Sequence, residues 1–269
     1  MPRVLIAAAA VLALVTPAGA KTGERFSPVQ KFVRADLVIV GKVTAIEKDA
    51  VEVTGQHGRK RSYRVAVAKV QTNYAGAANV THVKIGFVPP AGGEKPQLVE
   101  GAEWLFYLFQ RHDGFHVLDD EMGSYRSTDE RYPAEVRLAA RAAAVLAEPL
   151  PALKADAADD RFFAANVLVN RYRTRPRCPP GSRVAAEDIP AEDNGLILRA
   201  LVGARWKGNT TRNSPFGVVQ ELGLPEKAIP LPEPKAGEDY GEKYQELFVK
   251  WLAGPGKDFR IRRYVVKDN

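Results

Sequence analysis

Residues 35–46 read Ala-Asp-Leu-Val-Ile-Val-Gly-Lys-Val-Thr-Ala-Ile. Leu37 to Val40 is continuously apolar and mostly β-branched, and Val43 and Ile46 come next with polar neighbours, so the stretch predicts a strand. Gly41 inside it predicts a bulge or a bend. The same logic gives further strands along the chain. Ala50 to Val53 is one, and the glycines at 55 and 58 turn the chain. Ser62 to Thr72 carries Tyr63, Val65, Val67 and Val70, with Lys69 and Gln71 outward. Val80 to Val88 alternates Val83, Ile85 and Phe87 with Lys84 and Gly86. Pro89 to Pro96 reads as loop. Trp104 to Phe109 is strongly apolar and aromatic, and Asp113-Gly114 is a hairpin signal with Phe115, Val117 and Leu118 returning. Five to six such strands predict a small closed or nearly closed barrel. Trp104, Phe106, Tyr107 and Phe109 occupy neighbouring positions and must face both sides of their strand. One side fills the barrel and the other is expected to pack on the C-terminal half of the chain.

That half has a different period. From about residue 130 apolar residues recur at helical spacing. Ala134 to Ala147 places Val136, Ala139, Ala140, Ala143 and Leu146 on one face, and Pro149 ends it. Asp159 to Arg173 repeats the pattern, with Asp156 or Asp159 as its expected cap. Pro190 to Arg205, Pro215 to Leu222 (stopped by Gly223) and Tyr240 to Leu252 complete the helices. Leu224 to Gly237 is a Pro-rich linker, and Phe259 to Val266 predicts a last strand. The expected fold class is α+β, with a barrel over residues 21–125 and a mainly helical domain with a C-terminal strand over 126–269.

Residues 1–20 have the layout of a signal peptide. Arg3 is the positive start, Val4 to Val15 an apolar stretch too short for a comfortable membrane span, and Ala18-Gly19-Ala20 a small-residue cleavage site. The mature chain would then begin at Lys21. The expected localisation is export to the periplasm, the cell surface or the medium, with no stable membrane insertion after cleavage. The 269 residues carry 39 Lys+Arg against 32 Asp+Glu, a formal net charge of +7, and 45% are hydrophobic. Such a composition excludes a disordered chain, a collagen-like repeat and a disulfide-stapled miniprotein. With a single apolar run, a multi-span membrane protein is excluded too. Outside the cytoplasm a basic excess points to anionic polymer or to an envelope protein, and nucleic acid is not expected as a partner. The single cysteine, Cys178, excludes an intramolecular disulfide, so the fold must hold by its core. Arg175 and Arg177 beside it would favour a thiolate, yet no catalytic cysteine pattern surrounds it.

Ala35-Asp36-Leu37-Val38-Ile39-Val40-Gly41-Lys42-Val43, the Tyr63–Val70 and Val83–Val88 strands, and Gly101-Ala102-Glu103-Trp104-Leu105-Phe106-Tyr107-Leu108 occur in that order. Together they resemble the netrin-like module of the tissue inhibitors of metalloproteinases, an oligonucleotide/oligosaccharide-binding (OB) type barrel. With Phe248 to Asp258 added, the chain is similar to a set of exported bacterial proteins of planctomycete type, which brings no activity with it. The barrel resemblance implies a fold for residues 25–120. It does not carry over the inhibitory residues. Those inhibitors chelate the target's zinc through an N-terminal Cys, where this mature chain would start Lys21-Thr22-Gly23.

Motifs for catalysis are few. No Gly-x-Ser-x-Gly and no phosphate-binding glycine loop occurs. Asp159-Asp160 and Glu192-Asp193 sit at helix starts, where negative charge suits the helix dipole. His112, Asp113 and His116, with Asp119, Asp120 and Glu121 after them, form the one candidate metal set, with His112 and His116 as ligands across a hairpin turn. The basic candidates are Arg59, Lys60, Arg61 and Arg64 in a loop from Gly58 to Arg64, and Arg260, Arg262 and Arg263 on the last strand. The expected function is therefore a non-enzymatic exported binding protein with no cofactor. Its expected binding surface is the barrel face with Arg59, Lys60, Arg61 and Arg64. An extracellular peptidase inhibitor and a metal-dependent hydrolase using His112 and His116 are the alternatives.

Overall fold

A computed structural model of the chain describes residues 26–54, 60–76, 78–89, 98–119, 122–208, 211–233 and 235–268. The expected signal peptide, the 55–59 turn with Arg59, and most of the Pro89–Pro96 loop lie outside them. The fold is mixed α+β. The opening stretch forms β1 (Leu37–Ile46), and after it come β2 (Val51–Thr54), β3 (Lys60–Ala75), β4 (His82–Phe87), β5 (Glu103–His112), β6 (Phe115–Leu118) and β7 (Ser124–Arg126). Strand order is β1-β3-β4-β6-β5, and β5 pairs back with β1, so the sheet closes into a ring. β4 and β6 run parallel, while β2 extends the β3 side as a hairpin and β7 adds to β5. β1 is the strand that closes the ring, hydrogen-bonded to β3 on one edge and β5 on the other. Its register slips at Val38/Ile39, Val40/Gly41 and Val43/Ala45, and such bulges supply the bend that closure demands. Gly41 falls at one slip, where a Cβ would sit 3.2 Å from the Lys69 carbonyl oxygen.

Alternation along β1 and β5 divides their side chains between two cores. Leu37, Ile39 and Val43 point into the ring with Trp104, Phe106 and Leu108, and meet Ala66, Ala68, Val83, Ile85 and Phe87. The indole N–H of Trp104 is buried there with no acceptor among the described residues, and a buried donor left unpaired costs about 1–3 kcal/mol. Val38, Val40, Leu105 and Tyr107 point outward into a second core that belongs to the helices as well. The aromatic run thus does both things its spacing required. Each fully buried large side chain removes apolar area worth about 1.5–3 kcal/mol.

The helices are α1 (Pro28–Arg34), α2 (Tyr132–Ala147), α3 (Pro149–Leu153), α4 (Ala158–Arg173), α5 (Ala191–Val202), α6 (Pro215–Glu221) and α7 (Tyr240–Ala253). They and the C-terminal strand depart from the sequence expectations in four places. No element was expected before residue 35, yet α1 forms there. Ser27 Oγ accepts from the Gln30 N–H at 3.2 Å and Gln30 Oε1 accepts from the Ser27 N–H at 3.0 Å, a capping box that satisfies two orphan donors. α1 buries Val29, Phe32 and Val33 in the second core. α2 ends at Ala147 ahead of Pro149 as expected, but the short α3 that Pro149 then starts was not expected; proline fits the first turn of a new helix. Neither Asp156 nor Asp159 caps α4. Ala157 holds the cap position, and Asp159 and Asp160 sit in the first turn. Finally, β8 (Ser182–Asp188) was not expected, and it pairs antiparallel with the C-terminal strand β9 (Arg262–Asp268).

α4 is the hub of the helical layer, buried continuously from Ala164 to Asn170 and in contact with α1, α2, α3, α5, α6 and β9. Ring and helices also meet through polar groups. The Tyr107 hydroxyl donates to Glu135 at 3.3 Å, and Glu135 receives Arg131 at 3.1 Å. Burial, then the Glu135 charge, raise the Tyr107 phenol well above its ordinary pKa. Lys31, buried in α1, donates to the Tyr125 hydroxyl at 2.9 Å. No helix among the described residues is long and apolar enough to cross a membrane.

Candidate functional site: an arginine-lined cleft

At its C-terminal end α4 runs into the sequence Arg171-Tyr172-Arg173-Thr174-Arg175-Pro176-Arg177. Arg171 and Arg173 fall in the last helical turn, where positive charge suits the exposed carbonyls. Thr174 leaves the helix in an extended conformation, its hydroxyl and its backbone N–H both donating to the Asn170 carbonyl. Pro176 then excludes α geometry from Arg175 before it. This exit segment forms one wall of a cavity of about 1100 Å³. β5 supplies Phe109 and Arg111 on another side, and α1 supplies Phe32 and Arg34.

The arginines that line the cavity, Arg171 apart, are each held by something local. Arg173 and Arg175 rest on the Tyr264 ring, at 5.0 and 5.6 Å from its centroid, and Arg173 donates to the Arg262 carbonyl at 3.4 Å. Gly223, at φ +75°, clears room for Arg173: a Cβ there would lie 2.5 Å from the guanidinium. Arg34 stacks on Phe26 at 4.6 Å and Arg111 on Phe109 at 5.4 Å. Arg177 forms an ion pair with Asp36 at 2.8 Å, and the same carboxylate accepts from the Gln110 N–H at 2.8 Å, tying the exit segment to the ring. Arg111 pairs with Asp119 at 2.6 Å.

Six arginines therefore surround the cavity with two carboxylates among them, Asp36 and Asp119, each already paired. Among the described residues no carboxylate forms an ion pair with Arg34, Arg171, Arg173 or Arg175. Several like charges around one concavity with partly apolar walls focus a positive potential there, and an incoming anion relieves their repulsion. Guanidinium groups match carboxylate, sulfate and phosphate oxygens in pairs, and stacking on aromatic faces fixes their planes beforehand.

The residues singled out from sequence fall elsewhere or fall differently. Lys60, Arg61 and Arg64 lie in β3 and not in a loop, because strand pairing with β2 begins at Lys60 opposite Thr54. Lys60 is exposed and pairs with Glu52 at 3.2 Å, Arg61 is exposed, and Arg64 is half-buried opposite Phe87. Arg59 lies outside the described residues. His112 and His116 do not oppose one another across the hairpin. The register sets His112 against Phe115 and His116 against Gln110. His112 stacks on Phe115 at 4.3 Å, and its Nδ1 accepts from the Gly114 N–H at 3.0 Å. Among the described residues no three His, Cys, Asp or Glu side chains are grouped to hold a metal ion, and Asp120 and Glu121 lie outside that set. His116 instead neighbours the cleft's Asp36–Arg177 pair. Burial lowers its pKa, against the pull of Asp36 and with the push of Arg177. Arg262 and Arg263 face Asp188 and Glu187 across β8–β9, so that basic strand is matched by an acidic one. Cys178 is exposed just beyond Arg177. The arginine row was visible in the sequence as every second residue from 171 to 177. Its partners across the cavity, Arg34 and Arg111, were not, since only the packing of α1 and β5 around α4 brings them near.

No protein-family model matches the chain, and no curated protein resembles it in sequence.

Proposed function

We propose that the chain is an exported, non-enzymatic binding protein whose ligand is anionic and docks in the arginine-lined cleft. The observation that carries this is the cluster of Arg34, Arg171, Arg173 and Arg175 around one cavity with no carboxylate partner among the described residues. Helix-dipole complementarity suits Arg34, Arg171 and Arg173, each in the last turn of its helix, but it does not account for Arg175 or for the gathering of all four around one cavity. Export rests on the layout of residues 1–20, and the partner is an anionic polymer or an acidic envelope protein. In this reading the strand ring is an OB-type, netrin-like barrel that serves as scaffold. Its support is the closed order with β4 and β6 parallel, the arrangement a five-stranded Greek-key barrel requires.

A ligand that binds only the folded state raises the melting temperature. Dextran sulfate is expected to raise that of the purified chain at low salt, and to lose the effect as salt screens the arginines. An unchanged melting temperature at low salt would contradict the reading. Export has its own check: the protein recovered from the envelope fraction is expected to begin at Lys21, and recovery of the full chain from the cytoplasm would refute it.

A further inference from the structure

We infer that the occupant of the cleft is an acidic peptide segment in extended conformation with a carboxylate at every second residue. This rests on the cleft being the binding surface and narrows its ligand from any anion to one class of polymer. Three observations lead to it.

The first is period. Thr174 is extended, and Pro176, Pro179 and Pro180 bias Arg175, Cys178 and Pro179 the same way. Arg175 and Arg177 therefore stand about 6–7 Å apart along an extended chain. Phe109 and Arg111 have the same two-residue relation in β5, on another wall of the same cavity. An extended peptide has this repeat by its own geometry, so carboxylates at alternate positions meet alternate arginines.

The second is the main chain. Residues 175–179 belong to no helix or strand, and among the described residues the N–H groups of Arg175, Arg177 and Cys178 have no acceptor. In β geometry residues 175 and 177 would direct their N–H groups to the same edge, where Pro176 removes only a donor of the opposite edge. That edge can accept a strand, the pairing by which many modules bind extended peptides. The third is the state of the arginines. Arg175 is held on Tyr264 and Arg177 by Asp36. A guanidinium has five donors, so Arg177 can take a second carboxylate without releasing the first.

The test uses the full mature chain and two octapeptides of one composition. One alternates Glu and Ser, and the other has its glutamates in a single block. The alternating peptide is expected to bind about ten-fold more tightly, the worth of one well-aligned charge-assisted pair. N-methylation of its alternate amides and the Arg175→Ala substitution are each expected to abolish that preference, with the melting temperature of the variant unchanged. Equal binding of the two peptides overturns the inference and leaves a site that responds to charge alone. Binding of a sulfated hexasaccharide with neither peptide bound overturns it in favour of a glycan. If dextran sulfate fails to bind as well, it is the anion-binding cleft itself that falls.

Discussion

Gly86 shows how tightly single residues are constrained in the ring. A Cβ at this position in β4 would lie 2.2 Å from the Phe115 ring, which itself packs on Tyr63 and Val65. Gly86→Ala must displace that ring, an overpacking cost of about 1–3 kcal/mol. The expected fall in melting temperature is roughly 2–10 °C, read by calorimetry, and no change would mean that Phe115 has room to move. His116 gives the fold a pH dependence. Its folded pKa lies below the ordinary value of 6.5, so the unfolded chain takes up its proton first as pH falls. Stability from this residue is complete above about pH 6.5 and declines below it until the folded form is protonated as well. Melting curves between about pH 7.5 and pH 5 should show a decline that His116→Gln flattens. An equal decline in the variant would assign the effect to another group.

At the scale of elements, the strands and long helices were legible because burial there obeys a local period. Ala158–Arg173 and Tyr240–Ala253 match the spacing of their apolar residues within a residue or two. The elements that sequence reasoning missed lack such a period. α1 has seven residues and a stretch buried on most sides, including Gln30 and Lys31, so no amphipathic stripe marks it. Ser27 and Gln30 at capping-box spacing, with proline between them, were its available signal. Ser27→Ala is expected to cost about 1 kcal/mol in denaturant unfolding. A neutral result would show that packing alone holds α1. β8 carries Ala185, Ala186, Glu187 and Asp188, poor strand formers individually, and it forms because β9 pairs with it and ion pairs such as Lys267–Glu187 at 2.7 Å cross the ladder. The candidate site divides the same way. The Arg171–Arg177 row is local and readable, yet next to Cys178 it invited a reading about thiol chemistry. The cavity it lines is a tertiary fact.

At the scale of the whole molecule, the strands of the ring give way to helices after Arg126, but the main core does not respect that boundary. Val38, Val40, Leu105 and Tyr107 from the ring share that core with Ala139, Leu168, Val219 and Phe248 from the helices. A fragment of residues 21–125 would expose this face to water, and α1 within it would lose α4. It is expected to be insoluble or unfolded by circular dichroism unless residues 126–269 are co-expressed. A soluble, cooperatively melting fragment would show that the ring stands alone. The cleft lies on this same seam, where α1, β5 and the end of α4 meet, so the contact that completes the core also assembles the arginines. The most direct test of that account is a titration of dextran sulfate into three proteins: the native chain, Arg171→Ala/Arg175→Ala in the cleft, and Lys60→Ala/Arg61→Ala on β3. The cleft variant is expected to lose about ten-fold or more in affinity and to show a shallower salt dependence, with the β3 variant matching the native chain. Loss in the β3 variant with native affinity in the cleft variant would contradict it.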